Sequence, residues 1–479
     1  MTRLIVGPFN RVEGDLEVTL ETAEGQVTGA RVNAPMYRGF EQILEGKTPG
    51  DALVIAPRIC GICSVSQSVA ASRALADAMG LVPAPNGRLA ANLVSAAENL
   101  SDHLSHFYLF FMPDFTRDIY GDRSWYEEAV QRFAAVKGAA SKDFLPARNR
   151  LLHVVGILAG KWPHSLAIQP GGTTKAVDQG ERVRLLAVLS ETRRFLERVV
   201  FGDDLETVLA LETPEALTAW SEEKPHSDFS RFLAMSRDLR LSELGKTPGR
   251  LMSYGAYPDE GALWLSGGLW EGGAVKSLDL NEVSEDPASA WLSGGVGHPF
   301  DSDTLPDAEK DGAYSWCKAP RLQGGVVEVG ALARQAIAGN ALAQKLLHED
   351  GSTVHGRVVA RLIEAARLIV QMGRWVDEFR LKDEFCVHGE MPDEVQALGT
   401  TEAARGSLGH WMVLKGGVIH RYQIVAPTTW NFSPRDASGT PGPLEQALVG
   451  APVREGEASP VAVQHIVRSF DPCMVCTVH

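Results

Sequence analysis

The sequence predicts an α+β fold, in which a bundle of helices forms the core and β hairpins and small sheets lie at its edges. Apolar residues recur at helical spacing over residues 185–196 and 359–370, as is typical of long helices that pack into a bundle. Apolar and polar residues alternate on both sides of a turn at Glu24-Gly25, and a second glycine turn divides residues 411–425. These two segments are predicted to be hairpins outside the bundle.

The chain is interpreted as one domain with four consecutive parts. Residues 1–57 are rich in predicted strands, and residues 58–249 supply the helical core. Residues 250–326 are rich in Gly, Ser, Asp and Trp, which predicts loops and short strands inserted between helices. Residues 327–479 combine helices with the second hairpin and are expected to close the functional site.

Three helices of this plan can be placed individually. The first begins at Ser64, a residue type that caps helices, and runs through Ala78 before a closing glycine. A second, apolar-rich helix covers 89–112 and ends at a proline. A last helix is predicted near 460–469. The apolar stripes of the helices are interpreted as core packing and not as ligand sites.

Length and charge exclude several functions. The chain has 479 residues and a formal net charge of −14, so its overall field does not favour nucleic acid or an anionic membrane as a partner. It contains no apolar run of about 18 residues, so no membrane-spanning helix is predicted. The first residues lack the long apolar core of a signal peptide.

The spacing of the cysteines is the strongest indication of chemistry. Four of the six cysteines form two Cys-x-x-Cys pairs, Cys60 with Cys63 and Cys473 with Cys476. Six cysteines are too few for a disulfide scaffold, which predicts a reducing, cytoplasmic location. Spacing alone leaves three interpretations open, namely a structural zinc site, a disulfide or redox pair, and a different metal bound by thiolates.

Neighbouring motifs identify a family. Arg58, Asp471 and His479 accompany the cysteine pairs, which is more than a simple zinc site needs. In this order, and near opposite ends of the chain, the pairs resemble those of the large subunit of nickel–iron hydrogenases. The resemblance includes residues 11–14 (RVEG), 37–41 (YRGFE), 103–108, 163–164, 170–172, 314–316, 402–406 and 422–431. It implies the fold of that subunit and the heterolytic cleavage of dihydrogen to protons and electrons.

The resemblance implies that all four thiolates bind nickel. Cys60 and Cys473 match the terminal ligands, while Cys63 and Cys476 match the bridges to an iron atom that carries carbon monoxide and two cyanides. Thiolates are soft ligands and suit such metals. The two other cysteines are interpreted as buried thiols, so the iron–sulfur clusters that accept electrons are expected in a small subunit, and the functional unit is expected to be a heterodimer.

Heterolytic cleavage of dihydrogen also needs a base close to the metal. By the resemblance, the Cys473 sulfur takes the proton and Glu13 relays it outward. A carboxyl group in a dry pocket has a raised pKa, so it can accept and release a proton near neutral pH. Without the resemblance, Glu13 would be interpreted as a surface charge in a loop.

Polar residues are expected to cover the iron. The resemblance places the Arg405 guanidinium beside one cyanide, where it can donate charge-assisted hydrogen bonds, and Thr428 beside the other. Asp102 and Asp471 are expected to hold Arg405, although Asp102 could instead lie on a solvated helix face. Ala404 is assigned to the same ligand pocket and stands where proline is common in the family.

A second metal site is implied by the same resemblance. Glu41, His479 and the backbone carbonyl of Ile424 match the ligands of a divalent ion, expected to be magnesium because the donors include oxygens. His103 and His106 lie at helical spacing nearby and are interpreted as structural residues, not as ligands.

Three departures from the common pattern favour the hydrogen-sensing, or regulatory, branch of the family. Gln67 stands where histidine is common, Ile62 where valine is common and Phe110 where leucine is common. The larger Ile62 and Phe110 would narrow an apolar gas path. Members of this branch turn over slowly and signal through a partner histidine kinase. The alternatives are an energy-converting uptake or bidirectional hydrogenase, and a non-catalytic homologue that binds zinc or no metal.

Overall fold

The first part of the chain is a small sheet followed by two short helices. The structure, a computed structural model, describes residues 2–302 and 305–477. The sheet is antiparallel and contains β1 (Thr2–Val6), β2 (Glu17–Ala23) and β3 (Gln26–Asn33), in that order. β2 and β3 are joined by the turn at Glu24-Gly25, so the predicted hairpin is confirmed. The helices α1 (Phe40–Leu44) and α2 (Ala52–Ile55) then lead to the first cysteine pair.

The helical part begins at that pair. α3 (Ser64–Met79) starts directly after Cys63 and ends at Gly80, whose φ of 62° is one that glycine adopts without strain. α4 (Pro85–Ser105) does not continue as one α-helix to Met112, because it passes into a π-helical turn (His106–Phe111) and then a 3-10 turn (Met112–Thr116) that contains Pro113. The other elements of this part are α5 (Tyr126–Phe133), α6 (Ala140–Leu151), α7 (His153–Ala159), β4 (Ile168–Gln169), β5 (Gly172–Thr173), α8 (Gln179–Phe195), α9 (Leu205–Leu209), α10 (Pro214–Glu223) and α11 (Asp228–Asp238).

Short strands and loops follow, as the composition predicts. The strands are β6 (Leu251–Ser253), β7 (Ala256–Asp259), β8 (Ala262–Leu265), β9 (Gly268–Glu271), β10 (Ala274–Lys276), β11 (Val283–Asp286), β12 (Leu292–Ser293), β13 (Leu305–Pro306) and β14 (Ala319–Leu322). They form two-stranded sheets β7-β8, β11-β14 and β12-β13, and a four-stranded sheet β10-β9-β6-β15, in which β15 (Glu328–Val329) runs parallel to β6.

The last part combines helices with a three-stranded antiparallel sheet. Its helices are α12 (Ala331–Ile337), α13 (Ala341–Glu349), α14 (Val354–Glu378), α15 (Pro427–Asn431), α16 (Pro443–Leu448), α17 (Val461–Ser469) and α18 (Met474–Thr477). The sheet contains β16 (Val395–Ala403), β17 (Gly406–Lys415) and β18 (Val418–Val425), in that order. The predicted hairpin of 411–425 is therefore confirmed, but it begins earlier and pairs with an additional strand, β16.

The bundle is built around α14, which packs against α4 and α8. The predicted stripes supply this core. Phe195 and Val370 are half-buried, and the other stripe residues are buried, namely Leu185, Val188, Leu189, Thr192, Leu196, Val359, Leu362, Ile363, Ala366 and Ile369. α3 packs across β16, and this contact carries the start of α3 to the turn between β16 and β17. The predicted α+β class with a helical core is confirmed. None of the described helices is long and apolar enough to cross a membrane.

Candidate metal centre

The four thiols of the two Cys-x-x-Cys pairs meet in one buried cluster. The Sγ atoms of Cys60 and Cys473 are 3.5 Å apart, those of Cys63 and Cys476 are 3.0 Å apart, and those of Cys473 and Cys476 are 3.1 Å apart. All four lie within 4.8 Å of one another. Two sulfurs on opposite sides of a metal with bonds of about 2.3 Å would lie about 4.6 Å apart, so the cluster fits soft metal binding. It is the one such ligand group found in residues 2–302 and 305–477.

The pKa values of the four thiols are shifted in opposite directions. Hydrogen bonds from the thiols of Cys473, Cys476 and Cys63 hold the pKa of Cys60 well below its ordinary value. Burial raises the pKa of the Cys476 thiol well above its ordinary value. A metal must displace the protons that remain, so binding here is coupled to proton release.

The first cysteine pair is held by the start of α3. Cys60 ends a 3-10 turn and Cys63 is the residue before the helix. The buried Glu98 of α4 accepts hydrogen bonds from the backbone N–H groups of Val65 (2.9 Å) and Ser66 (3.0 Å). A carboxylate at the N-terminal end of a helix accepts from amides that have no partner within the helix. Its negative charge also interacts favourably with the helix dipole. Glu98 therefore fixes the helix start that carries Cys63.

The second pair is held by the N-terminal segment of the chain. Glu13 forms an isolated parallel β-bridge with Cys473, in which the N–H of Glu13 donates to Pro472 (3.3 Å) and the N–H of Met474 donates to Glu13 (2.7 Å). This pairing places the half-buried Glu13 beside the cluster. Burial and the Cys60 thiolate raise the pKa of Glu13, and the positive charges of Arg405 and Arg38 partly oppose this shift.

Arg405 lies in the turn between β16 and β17 and joins two aspartates, and we call Arg405, Asp102 and Asp471 the polar canopy. The guanidinium of Arg405 donates to Asp102 Oδ2 at 3.1 Å, to Asp471 Oδ1 at 3.3 Å and to the backbone oxygen of Asp471 at 3.0 Å. All three residues are buried, so the alternative that Asp102 lies on a solvated helix face is wrong. Thr428 Oγ1 accepts from the N–H of Cys473 at 3.2 Å, and its hydroxyl group can still donate one hydrogen bond.

The electrostatics of the polar canopy are uneven. Burial raises the pKa of Asp102 well above its usual value, and Arg405 only partly offsets this effect. Burial also opposes the ionisation of Asp471, but Arg405, His106 and Arg361 together lower its pKa below the usual value. The fixed charge of Arg405 is therefore balanced mainly by Asp471.

A second layer of buried charge stands behind the polar canopy, and the sequence interpretation missed it. Arg334 donates to the backbone oxygens of Ala403 (2.8 Å) and Ala404 (2.9 Å), and it forms ion pairs with Glu364 and Glu402, both at 2.8 Å. The carbonyl of Ala404 is thus already engaged within the protein. This layer fixes the turn that carries Arg405.

The positions that depart from the family pattern lie in different surroundings. The buried Gln67 contacts His410, with 2.8 Å between Oε1 and Nε2, and His410 Nδ1 lies 2.8 Å from the hydroxyl of Tyr422. Ile62 is half-buried and packs against the apolar cluster that contains the four thiols. Phe110 is half-buried in the π-helical turn.

Two of the three predicted ligands of the second metal ion, Glu41 and Ile424, lie among the described residues. The buried Glu41 accepts from the backbone N–H of Ile424 at 3.0 Å and from the side chain of Gln423. The predicted ligand is the carbonyl oxygen of Ile424, and the N–H of the same residue holds Glu41 beside it. Lys318 Nζ lies 3.7 Å from Glu41 and 3.0 Å from Glu285. His479 lies outside the described residues.

The remaining histidines, cysteines and arginine that the sequence analysis names lie outside the thiol cluster. His103 bonds to Glu364 at 2.9 Å and His106 to the backbone oxygen of Arg468 at 2.6 Å, so both are buried structural residues, as predicted. Cys317 is a buried thiol, also as predicted, but Cys386 is only half-buried. Arg58 is exposed and has no part in the thiol cluster.

The geometry of the four thiols fits a metal centre, and a comparison with known families gives the class of the protein. The model of the family described as nickel-dependent hydrogenase matches residues 38–122 and 140–479. The chain therefore belongs to the nickel-dependent hydrogenases, and the relatives place it among their large subunits.

Two relatives and two solved structures illustrate the match. The large subunit of the periplasmic [NiFeSe] hydrogenase of Desulfomicrobium baculatum is 30% identical, over 100% of this chain and 95% of the relative. The hydrogenase-2 large chain of Escherichia coli is 27% identical, over 100% of this chain and 97% of the relative. Structures of the [NiFeSe] hydrogenases of Dm. baculatum and D. vulgaris Hildenborough match over 100% of both chains, with TM-scores of 0.87 and 0.86 at 29% and 28% identity. The names of the Dm. baculatum and D. vulgaris proteins include selenium, whereas this chain has cysteine at all four cluster positions.

Proposed function

We propose that this chain is the active-site subunit of an enzyme that cleaves dihydrogen heterolytically. The observation that carries the proposal is the convergence of four buried thiols beside Glu13 and the polar canopy. A structural zinc site needs only the thiols, so it leaves these buried charges unexplained. When bound there, a nickel–iron pair would supply the Lewis acid that polarises dihydrogen.

The residues around the cluster would bind the metals, donate hydrogen bonds to the cyanides and carry the proton. Cys60 and Cys473 would hold nickel at terminal positions, and Cys63 and Cys476 would bridge to iron carrying carbon monoxide and two cyanides. Arg405 and Thr428 would donate hydrogen bonds to the cyanides, because both have donors close to the cluster. The Cys473 sulfur would take the proton, and Glu13, whose backbone pairs with Cys473, would pass it outward.

We also propose that a divalent ion, expected to be magnesium, binds beside Glu41. The buried carboxylates of Glu41 and Glu285 both lie within 4 Å of Lys318 Nζ, so oxygen donors of the kind that magnesium prefers are gathered at this place. Ile424 is adjacent to Glu41, and His479 would complete the ligand set. The test is a magnesium analysis of the purified complex.

Electrons must leave through another polypeptide, because the described residues contain no second cysteine cluster. We therefore propose a small subunit with iron–sulfur clusters as the partner in a heterodimer. The named relatives are themselves called large subunits or large chains. A cytoplasmic location is proposed because all six cysteines are free, although one relative is called periplasmic. Cell fractionation distinguishes the two locations.

Metal analysis and infrared spectroscopy test the proposed function directly. The purified complex is expected to contain one nickel for each chain, and to show absorption bands of metal-bound carbon monoxide and cyanide. Zinc as the only metal in the large subunit, with no such bands, would refute the proposal. The same spectra would be needed as the reference for every variant described below.

A finer proposal is that the enzyme serves as a hydrogen sensor with low turnover that signals to a histidine kinase. It is supported by two residues. Gln67 stands where histidine, a titratable residue, is common in the family, and it contacts His410. Ile62 packs against the apolar cluster that contains the four thiols. The alternative is an uptake or bidirectional enzyme, and the names of the relatives are those of hydrogenases without mention of sensing. Identification of the partners that copurify, with the specific activity, separates the two.

The sensor proposal predicts a change in oxygen sensitivity. The double variant Ile62→Val, Phe110→Leu removes bulk beside the expected gas path, so dioxygen should inactivate it faster than it inactivates the wild type. The measurement is the half-life of dihydrogen oxidation in air-saturated buffer, with Leu145→Val, an exposed apolar position, as the control. An unchanged half-life in the double variant would contradict a narrowed path.

A further inference from the structure

A single guanidinium links the two halves of the thiol cluster. Nη2 of Arg38 donates to the carbonyl oxygen of Ile59 at 2.7 Å and also to the carbonyl oxygen of Val475. Ile59 is the residue before Cys60, and Val475 is the residue before Cys476. One side chain therefore bonds to the backbone next to a cysteine in each pair.

The surroundings of Arg38 keep the guanidinium in one orientation. Its Cζ lies 4.9 Å from the centre of the Phe40 ring, a stacking contact that suits a planar cation. The side chain is half-buried, so water competes less for its donors than at an open surface. The two N–H groups of one guanidinium nitrogen diverge, and each can therefore serve a different carbonyl.

The other contacts of the second cysteine pair do not perform this task. Glu13 pairs with Pro472 and Met474, and Thr428 accepts from Cys473, but none of these bonds reaches the backbone of the first pair. The distance between the Sγ atoms of Cys63 and Cys476, 3.0 Å, depends on how the two backbones are held together. A link between the backbones of Ile59 and Val475 holds the two cysteine pairs together and so acts on that distance through the backbone.

We propose that Arg38 is a positioning residue that sets the spacing between the two cysteine pairs. The inference deepens the proposed function and rests on it for the role of the cluster. Arg38 touches no thiol in this arrangement. It acts through the carbonyls of Ile59 and Val475, and it keeps the Cys476 segment docked against the Cys60 turn whether or not metal is bound.

Hydrogen–deuterium exchange of the purified heterodimer tests this role in the variants Arg38→Met and Arg38→Lys. In Arg38→Met, amides of residues 474–477 should exchange about tenfold faster or more, because two charge-assisted hydrogen bonds are lost. In Arg38→Lys, which keeps the charge but not the planar fork, the increase should be smaller but still present. Nickel content should fall more in Arg38→Met than in Arg38→Lys. The amides of residues 85–105 should exchange at the wild-type rate in both variants.

The control is Arg58→Met, which removes an exposed arginine two residues before Cys60 and should leave exchange and nickel content unaltered. Wild-type exchange at 474–477 in both Arg38 variants would overturn the proposal. If Arg38→Met does not fold, Arg38→Lys decides: faster exchange at 474–477 in that variant supports the proposal, and wild-type exchange overturns it. A wild-type complex without nickel would refute the proposed function, yet the exchange measurement would still test the link.

Discussion

Replacing Glu13 by glutamine is expected to lower the exchange of dihydrogen with solvent deuterons by about 10²–10⁴-fold, with the metal content unchanged. The backbone of Glu13 pairs with Cys473, and glutamine preserves that pairing and the volume of the side chain. Glutamine cannot bind or release a proton near neutral pH, so the path from the Cys473 sulfur would be interrupted. The measurement is mass spectrometry of HD and H₂ formed from D₂ in water.

Glu21→Gln is the matched control, because Glu21 is an exposed residue of β2, in the same N-terminal part of the chain. It should exchange hydrogen isotopes at the wild-type rate. Wild-type exchange in Glu13→Gln, in a complex with full nickel and unaltered infrared bands, would remove Glu13 from the proton path. Loss of nickel in that variant would instead assign Glu13 a role in holding the site.

Replacing Cys476 by serine is expected to remove most of the nickel. The substitution replaces a soft sulfur ligand by a hard oxygen. Nickel among thiolates binds such an oxygen less tightly than it binds sulfur. Loss of residues that only orient ligands costs about 10–100-fold in metal affinity, so loss of a ligand should cost at least as much. The measurement is elemental analysis of the purified complex, and dihydrogen oxidation should fall with the metal content.

Cys386→Ser provides the matched control for this substitution. Cys386 is half-buried and lies outside the thiol cluster, so the variant should keep its nickel and its activity. Full nickel in Cys476→Ser would show that Cys476 is not a ligand. Loss of nickel in both variants would indicate general damage to the fold.

Local patterns were sufficient for the elements that the sequence predicted correctly. The hairpin around Glu24-Gly25, the start of α3 after Cys63 and the glycine turn of β17 and β18 each depend on neighbouring residues, and such signals can be recognised in a sequence. The end of α4 was harder. Pro113 signals a stop, but the π-helical turn before it is set by packing and leaves no local mark.

The candidate site divides in the same way. The cysteine pairs and the residues matched by family resemblance could be named in advance, because their types and spacing are specific. Arg38, Glu98 and Arg334 received no role, since each acts through backbone groups that are distant in sequence. Arg38 stands in a recognised motif, and only its contact with Val475 shows what it does. Such partners are determined by tertiary packing, which a single sequence does not encode locally.

The contact between Cys60 and Cys473 spans 413 positions of the chain and has a consequence for thermal denaturation. A cross-link across so long a loop withdraws many conformations from the unfolded ensemble, and each doubling of loop length adds only about 0.6 kcal/mol to that gain. A metal bound by all four sulfurs would therefore cross-link the two ends of this loop and stabilise the folded chain. Removal of the metal by a chelator would therefore also destabilise helices far from the thiols. The subunit with metal would melt at a higher temperature than the subunit without it.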